Sequence, residues 1–359
     1  MALVKSTFKN DDCIFLLKDL TDIIEEVTIE EKEALIAQGV NYSEMISKEY
    51  PLSEEINNIF LETLHMNAHE LAQNVATISE ATLNKYGKDV ILVSLARAGS
   101  PIGALMRRYL QYAHNMTVPH YSISIIRGKG IDENAINAIF DKYPNGKLAF
   151  IDGWTGKGSI TFELRKAIAK YNSEHGTDID DGLIVIADPA RKSAIYGTRK
   201  DICIPNACLN STVSGLVSRT IHNTDLISDT DYHGAKLFED LAQYDFTNDF
   251  LDIIEKEFNN TISEIRDMEA PDEGYVDEVI TAIAREFGED DITRIKLSIG
   301  ESSRALLRRK PKVLLVKDIN NPHLKFVLHL AKEKGVEIKE YDTYGYECIA
   351  VLAPKGKMK

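Results

Sequence analysis

Cysteine is scarce in this chain, and long apolar runs are absent. The 359 residues include four cysteines, and the closest pair, Cys203 and Cys208, has no second pair that would complete a zinc site. No window approaches the roughly 18 consecutive apolar residues that a membrane helix needs. The start of the chain also lacks the long apolar core and the small-residue cleavage site of a signal peptide. We therefore expect a cytoplasmic protein with reduced thiols and no membrane segment.

The formal net charge of −14 is unevenly distributed along the chain. From Ile292 to Lys359 there are fifteen Lys and Arg residues against seven Asp and Glu residues, so this end is basic while the rest is acidic. A basic module on an acidic body favours a second domain with a polyanionic partner. A basic face without any partner is the alternative that the composition leaves open.

The spacing of apolar residues divides the chain into three parts. Residues 1–84 form a mostly helical extension, in which Thr28 and Glu31 have the spacing of a capping box and Gly39 is a helix stop. Residues 85–268 alternate nearly continuous apolar strands with helices, which predicts an α/β fold with a parallel sheet covered on both faces. After a linker from Glu269 to Gly274, residues 275–359 repeat the alternation and predict a second, small α/β domain.

Glycines and cations follow three strands of the predicted sheet. These loops read "RAGS" from Arg97, "RGKG" from Arg127, and "GWTGKGS" directly after Asp152. Ligands of an open parallel sheet bind beyond the carboxyl ends of its strands. Exposed backbone N–H groups and helix N-termini form anion sites, so the loops predict a ligand with several phosphate groups, with ordinary turns as the alternative. Asp152, a carboxylate among cations, suits sugar hydroxyls or a metal-bound diol.

The three loops resemble those of a type I phosphoribosyltransferase. "LAFIDGWTGKGS" is similar to the signature of that family, in which an apolar run precedes an acidic residue and a Thr-Gly loop. The resemblance implies a phosphoribosyltransferase-like fold that binds phosphoribosyl pyrophosphate. Its catalytic residues would be Asp152, on the ribose hydroxyls, with Arg127 and Lys129 in a mobile hood. It assigns the phosphate groups to Arg97, Ala98, Gly99, Thr155, Gly156, Lys157, Gly158 and Ser159.

The whole chain resembles the phosphoribosyltransferase-like proteins of bacterial tellurium-resistance and stress gene clusters, which also carry the label cysteine protease StiP. "SLARAGSPIGALMRR" and "IPNACLNSTVSGLVSRT" carry this resemblance. It implies an Mg²⁺-dependent transfer of the phosphoribosyl group to a base-like acceptor in a stress response. Asp188, Arg191 and Arg199 are candidate acceptor contacts, or else solvated loop charges. The rival hypothesis is a non-catalytic sensor that binds a nucleotide and presents RNA, and the oligomeric state is open, a homo-oligomer included.

The basic C-terminal part resembles the Pelota and kink-turn-binding fold that the same family usually carries. In "LSIGESSRALLRRKPKVLLVKD" a strand ends in Gly, a helix starts with polar residues, and a basic helix end precedes the next strand. This arrangement predicts RNA binding, with a docking domain whose cations only aid solubility as the alternative. The candidate RNA contacts are Gly300, Glu301, Ser302, Arg304, Arg308 and Arg309.

A cysteine protease is the third hypothesis. It would use Cys208 as the nucleophile, with His222 or His233 as the base that activates it. Such pairs are recognised by their geometry in space, which residue spacing does not supply. A buried structural cysteine is the alternative at this position.

Overall fold

The computed structural model describes residues 1–352 except 10, 206–208, 264–266 and 309, and except the side chains of residues 29, 30 and 33. Its main sheet consists of six parallel strands. The strand order is β1–β6–β5–β9–β10–β11, and every neighbouring pair is parallel. The expected α/β parallel sheet is thus confirmed, whereas the finer likeness to a phosphoribosyltransferase stays a prediction. The strands are β1 (Ile14–Phe15), β5 (Val90–Leu95), β6 (His120–Ile123), β9 (Lys147–Trp154), β10 (Leu183–Ala187) and β11 (Ile195–Thr198).

Helices cover both faces of this sheet, as the apolar strands require. Successive residues of a strand point to opposite faces. Accordingly, Leu92 and Ile151 belong to one hydrophobic core, while Val93 and Phe150 belong to the other. Helices α2 (Glu54–Tyr86), α3 (Ser100–His114) and α6 (Thr247–Glu255) line the first core, and α4 (Glu133–Lys142) and α5 (Ser159–His175) line the second.

The N-terminal part is less helical than expected. Helix α1 (Ile29–Ala37) does begin with the capping box of Thr28 and Glu31, and Gly39 follows its end with a φ of 93°. Before it, however, short strands replace helix, and β1 joins the main sheet beside β6. The short pairs are β2 (Lys18–Asp19) with β12 (Gly234–Ala235), and β3 (Glu26–Val27) with β4 (Ile46–Ser47).

The spacing of apolar residues from Phe250 to Met268 is that of one long helix, but the helix in the structure is shorter. Helix α6 ends at Glu255, and a single 3-10 turn at Phe258–Asn260 follows it. The limits 1–84, 85–268 and 275–359 stay a prediction.

The C-terminal part forms the expected small α/β unit. Its sheet has the order β13–β16–β14–β15, in which β14 and β15 are parallel and the other pairs antiparallel. The elements are α7 (Tyr275–Phe287), β13 (Ile295–Leu297), α8 (Ser298–Arg308), β14 (Pro311–Val316), α9 (Lys325–Glu333), β15 (Glu337–Glu340) and β16 (Cys348–Leu352).

The two parts share hydrophobic cores. Ile56, Ile59 and Cys203 of the first part pack in one cluster with residues of α8, α9, β14 and β16. Ala190 joins a second cluster with α7 and β13. Their relative position is therefore fixed by buried apolar surface. Within the described residues, every helix is too short or too polar to cross a membrane.

Candidate functional site

Arg97 lies at the carboxyl end of β5, but its guanidinium is already bound within the protein. It donates to Glu49 Oε1 at 2.5 Å and to the carbonyl of Val217 at 2.9 Å. Glu49 also accepts from the Ser211 backbone N–H at 3.0 Å and from its hydroxyl at 2.7 Å. Burial opposes ionisation of Glu49, but Arg97 and Ser211 outweigh it and hold the pKa of Glu49 below its usual value. Arg97 thus holds the segments of Glu49 and Val217 in place, in addition to carrying a positive charge at the sheet edge.

Asp152 lies in β9 at the same edge of the sheet. It accepts a hydrogen bond from the Gly153 backbone N–H at 2.8 Å. Burial raises the pKa of Asp152 to about 6, against the opposing effects of that N–H and of Arg304. Mg²⁺ prefers several oxygen ligands, whereas this carboxylate is flanked by an arginine, so Mg²⁺ remains a prediction without a fitting donor set here.

The glycine-rich loop after Asp152 is engaged in contacts within the protein. The Thr155 hydroxyl donates to Asp188, and Lys157 Nζ donates to the Ile292 carbonyl at 2.8 Å. Burial lowers the pKa of Lys157 to about 8. Gly158, with a φ of 80°, precedes α5, which begins at Ser159. The loop therefore has the predicted shape, but its hydroxyl and ammonium groups serve internal bonds.

The candidate acceptor contacts Asp188, Arg191 and Arg199 are engaged in contacts within the protein. Asp188 is fully buried and accepts from Thr155, from Arg199 and from the backbone N–H groups of Lys192 and Ser193. The Arg199 guanidinium lies 3.7 Å from the centroid of the Tyr196 ring and also donates to the Glu269 carbonyl at 2.9 Å. Arg191 lies over the ring of Tyr275, which begins α7. These contacts tie the loop after β10 to the linker and to the C-terminal part.

The turn that carries Arg127 and Lys129 is exposed, whereas Ile125, Ile126 and Ile131 of its two strands are buried. Strands β7 (Ile125–Ile126) and β8 (Gly130–Ile131) pair antiparallel and hold the two cations at their turn. The Arg127 backbone N–H donates to the Tyr42 hydroxyl at 3.1 Å, and the Gly128 N–H donates to Glu163 at 2.9 Å. The expected role of Arg127 and Lys129 as a mobile hood stays a prediction.

Helix α8 of the C-terminal part covers this edge. Gly300 lies against Trp154, and the Arg304 guanidinium stands 4.6 Å from the centroid of the Trp154 ring. A Cβ on Gly156 would lie 2.6 Å from the carboxyl carbon of Glu301. The predicted RNA contacts and the predicted phosphate loop therefore meet at one interface, which no sequence pattern indicated. Arg308 is exposed, Ser302 is buried, and Arg309 lies outside the described residues.

Asp201 is a buried carboxylate at this interface that the sequence did not single out. It accepts from the Ile299 N–H at 3.1 Å and from the Glu347 N–H at 3.0 Å, both in the C-terminal part. Burial raises the pKa of Asp201 to about 7, against the opposing effect of those N–H groups. One carboxylate of the first part thus holds two backbone segments of the second.

Cys13, Cys203 and Cys348 are buried, and Cys208 lies outside the described residues. Cys13 has a histidine partner that the sequence gave no reason to expect, since its Sγ lies 3.9 Å from His120 Nε2. The other ring nitrogen, Nδ1, donates to the Asp12 carbonyl at 2.5 Å. Burial raises the pKa of the Cys13 thiol and lowers the pKa of His120 to about 4, so both groups are uncharged. A nucleophilic cysteine has the opposite shifts.

The two candidate base histidines lie together. The rings of His222 and His233 are 4.7 Å apart. His233 Nδ1 is 2.8 Å from the Ser124 hydroxyl, and burial lowers the pKa of His233 to about 3. Among the described residues, His222 Nδ1 is buried without a hydrogen-bond partner. Of these two histidines, His222 is thus the one whose Nδ1 has no hydrogen-bond partner among the described residues.

Three carboxylate and imidazole groups elsewhere have the spacing of a metal site. One ligand atom each of Glu133, Glu174 and His175 lies within 4.8 Å of the others. Lys170 Nζ, however, lies 2.7 Å from Glu133 and 3.3 Å from Glu174, so an ammonium group already balances these carboxylates. We therefore interpret the cluster as a surface ion-pair network around Lys170.

Two family models match the chain. The model described as tellurite-like stress resistance cysteine protease StiP matches residues 6–255, and the model described as PELOTA RNA binding domain matches residues 275–354. The chain belongs to the StiP family. A relative named "Cysteine protease StiP" from Acinetobacter baylyi is 29% identical, over 98% of this chain and 94% of the relative.

These matches correct the function expected from the sequence. The family and the Pelota domain are confirmed, but phosphoribosyl transfer is wrong, because both the StiP family model and the Acinetobacter StiP relative are described as cysteine proteases. The reason for the error is physical: glycines next to cations serve close packing as well as phosphate binding. Because Gly156 and Gly300 have no side chain, Glu301 packs against Gly156 and Trp154 packs against Gly300.

Proposed function

We propose that this StiP family member is a cysteine peptidase, that Cys208 is its nucleophile, and that its C-terminal domain binds RNA. The observation that supports Cys208 is the burial of the three other cysteines of the sequence. A peptidase needs a thiolate, and burial in apolar surroundings raises a thiol pKa, as it does for Cys13 and Cys348. Cys208 is the fourth cysteine of the sequence and lies outside the described residues.

His222 is the proposed general base. Its Nδ1 has no hydrogen-bond partner among the described residues, whereas Nδ1 of His233 is bound to Ser124. The chain following Cys208 and the chain carrying His222 contact the same segment, residues 42–49. Ser211 donates to Glu49, and the His222 backbone N–H donates to the Ser43 carbonyl at 2.9 Å. Ser211, three residues after Cys208, and His222 therefore contact the same segment of the first part, which supports the pairing of Cys208 with His222.

The proposed chemistry is acyl transfer in two steps. His222 takes the thiol proton, the sulfur of Cys208 forms a bond to the peptide carbonyl carbon, and the C–N bond breaks as the amine receives the proton. Water then attacks the thioester and releases the acid, which restores the thiol.

The test is cleavage of a peptide library made by digesting a cell lysate, with the new ends identified by mass spectrometry. We expect the parent chain to cleave and Cys208→Ser to lose the activity. Cys13→Ser is the matched control, because it removes the cysteine that has a histidine within 3.9 Å but an unfavourable pKa. Loss of cleavage in Cys13→Ser with full activity in Cys208→Ser would overturn the assignment.

A further inference from the structure

Four arginines from the two parts of the chain meet at the edge of the main sheet. Arg97 and Arg219 come from the first part, and Arg304 and Arg308 from helix α8. Arg304 interacts electrostatically with Arg308 and Arg97, and Arg219 interacts with the same two residues. We call these four residues the arginine junction.

Two carboxylates near the junction, Glu49 and Glu301, have other partners, whereas Asp152 attracts Arg304. Glu49 binds Arg97 and Ser211, and Glu301 faces Lys157. Burial, followed by the nearby arginines, lowers the pKa of both Arg219 and Arg304 to about 10, so their charged forms are under-compensated. The Nε atoms of both are buried without a hydrogen-bond partner among the described residues. An added anion would relieve the repulsion between these cations.

Aromatic rings alternate with the arginines. The Arg219 guanidinium stands 5.3 Å from the centroid of the Tyr42 ring, and the Arg304 guanidinium stands 4.6 Å from that of Trp154. Tyr42 is 37% exposed, and its hydroxyl touches the hairpin that carries Arg127. Cations for phosphates beside rings for bases are the combination that proteins use to hold single-stranded nucleic acid.

We propose that RNA binds across the junction of the two parts, with its phosphates on Arg219 as well as on Arg304 and Arg308, and with a base on Tyr42. The inference rests on the proposed RNA binding and is independent of the peptidase chemistry. It differs from binding by the C-terminal domain alone, since two of the four arginines and the exposed ring belong to the first part. An acidic peptide is the competing occupant that the test must separate.

The test measures binding of a labelled single-stranded RNA of mixed sequence to the full chain at several salt concentrations. We expect Arg219→Gln to lower the affinity about tenfold at low salt. The slope of log affinity against log salt concentration should also decrease by about one, which corresponds to the loss of one phosphate contact. Lys88→Gln is the matched control, because it removes one charge at the opposite end of β5 and should bind as the parent does. Ultraviolet cross-linking of RNA to the parent should mark Tyr42.

Each outcome decides the inference. If Arg308→Gln weakens binding while Arg219→Gln does not, and all cross-links fall within residues 275–352, RNA binds the C-terminal part alone and the junction is wrong. If polyglutamate binds more tightly than RNA and its binding depends on Arg219, the occupant is an acidic peptide. A parent chain that binds no RNA overturns the proposed RNA binding together with the junction. Should Arg219→Gln fail to fold, the cross-link in the parent still decides.

Discussion

Gly300 in helix α8 and Trp154 at the end of β9 are packed so closely that a Cβ on Gly300 would lie 2.4 Å from the indole. This contact joins the C-terminal domain to the edge of the main sheet. It also places Arg304, one turn further along the helix, over the same ring. The absence of a side chain at residue 300 is therefore a condition for the domain interface.

Gly300→Ala should destabilise the protein. In an exposed helix the same change would stabilise by up to about 1 kcal/mol, but here the added methyl group overpacks the interface at a cost of about 1–3 kcal/mol. Thermal unfolding shows whether the substitution raises or lowers the melting temperature. The control is Gly300→Ala in a Trp154→Ala chain, where the clash is gone and the change should be neutral or favourable; a higher melting temperature for Gly300→Ala alone would contradict the packing.

Asp201→Asn should change how stability depends on pH. The pKa of Asp201 is about 7 in the folded protein, and about 3.9 is the ordinary value in an unfolded chain. Because the folded value is the higher one, the stabilising contribution is present below about pH 4 and is lost as the pH rises through about 7. An amide does not titrate. The melting temperature of the parent minus that of the variant should therefore fall between about pH 4 and pH 7.

The matched control for this measurement is Asp178→Asn, an exposed carboxylate. Its difference from the parent should stay flat over the same pH range. A flat difference for Asp201→Asn as well would mean that residue 201 binds its proton equally well in the folded and unfolded protein. That result would contradict the raised pKa of a buried Asp201 at the interface.

Asp12→Asn should cost far more stability than Asp252→Asn, although both carboxylates bind Arg108. Arg108 and Asp12 are buried and joined by two hydrogen bonds of 2.8 and 2.6 Å, whereas the Asp252 side chain is 42% exposed. Breaking the buried pair should cost about 3 kcal/mol. Asp252→Asn, which removes the exposed partner, should lower the free energy of unfolding by less than about 1 kcal/mol. Urea titrations of both variants measure the difference, and equal losses would contradict the role of burial.

His222→Gln should abolish most peptide cleavage, while His233→Gln should leave it nearly intact. Removal of a general base typically costs about 10²–10⁴-fold in rate. His233 is bound to Ser124, and its pKa of about 3 makes it a poor proton acceptor. Turnover of a cleaved library peptide by both variants, with melting temperatures as the folding control, measures this. Intact cleavage in His222→Gln would remove it from the mechanism.

The sequence predicted those features that depend on local pattern. Apolar runs such as that of β5, buried along its whole length, predicted the parallel sheet, and the capping box of Thr28 and Glu31 predicted the start of α1. The strands before α1 are two residues long, too short for an alternating pattern to show. The main-sheet partner of β1 is also more than a hundred residues away in the chain.

The site was less accessible from sequence because its contacts join distant residues. Gly156 and Glu301 lie in different domains, as do Asp201 and Ile299, and nothing in either local pattern specifies the other partner. The histidine beside Cys13 is separated from it by the length of several elements. The sequence does not separate a phosphate-binding loop from a closely packed one, because exposed amides and close backbone packing both require glycine.

Alkylation of the native protein tests the central proposal most directly. Iodoacetamide is added in small steps, and at each step mass spectrometry locates the modified cysteine while peptide cleavage is measured on the same sample. We predict that Cys208 is modified before Cys13, Cys203 and Cys348, and that activity falls in proportion to its modification. Full activity with Cys208 completely alkylated, or loss of activity that follows Cys13 instead, would contradict the account.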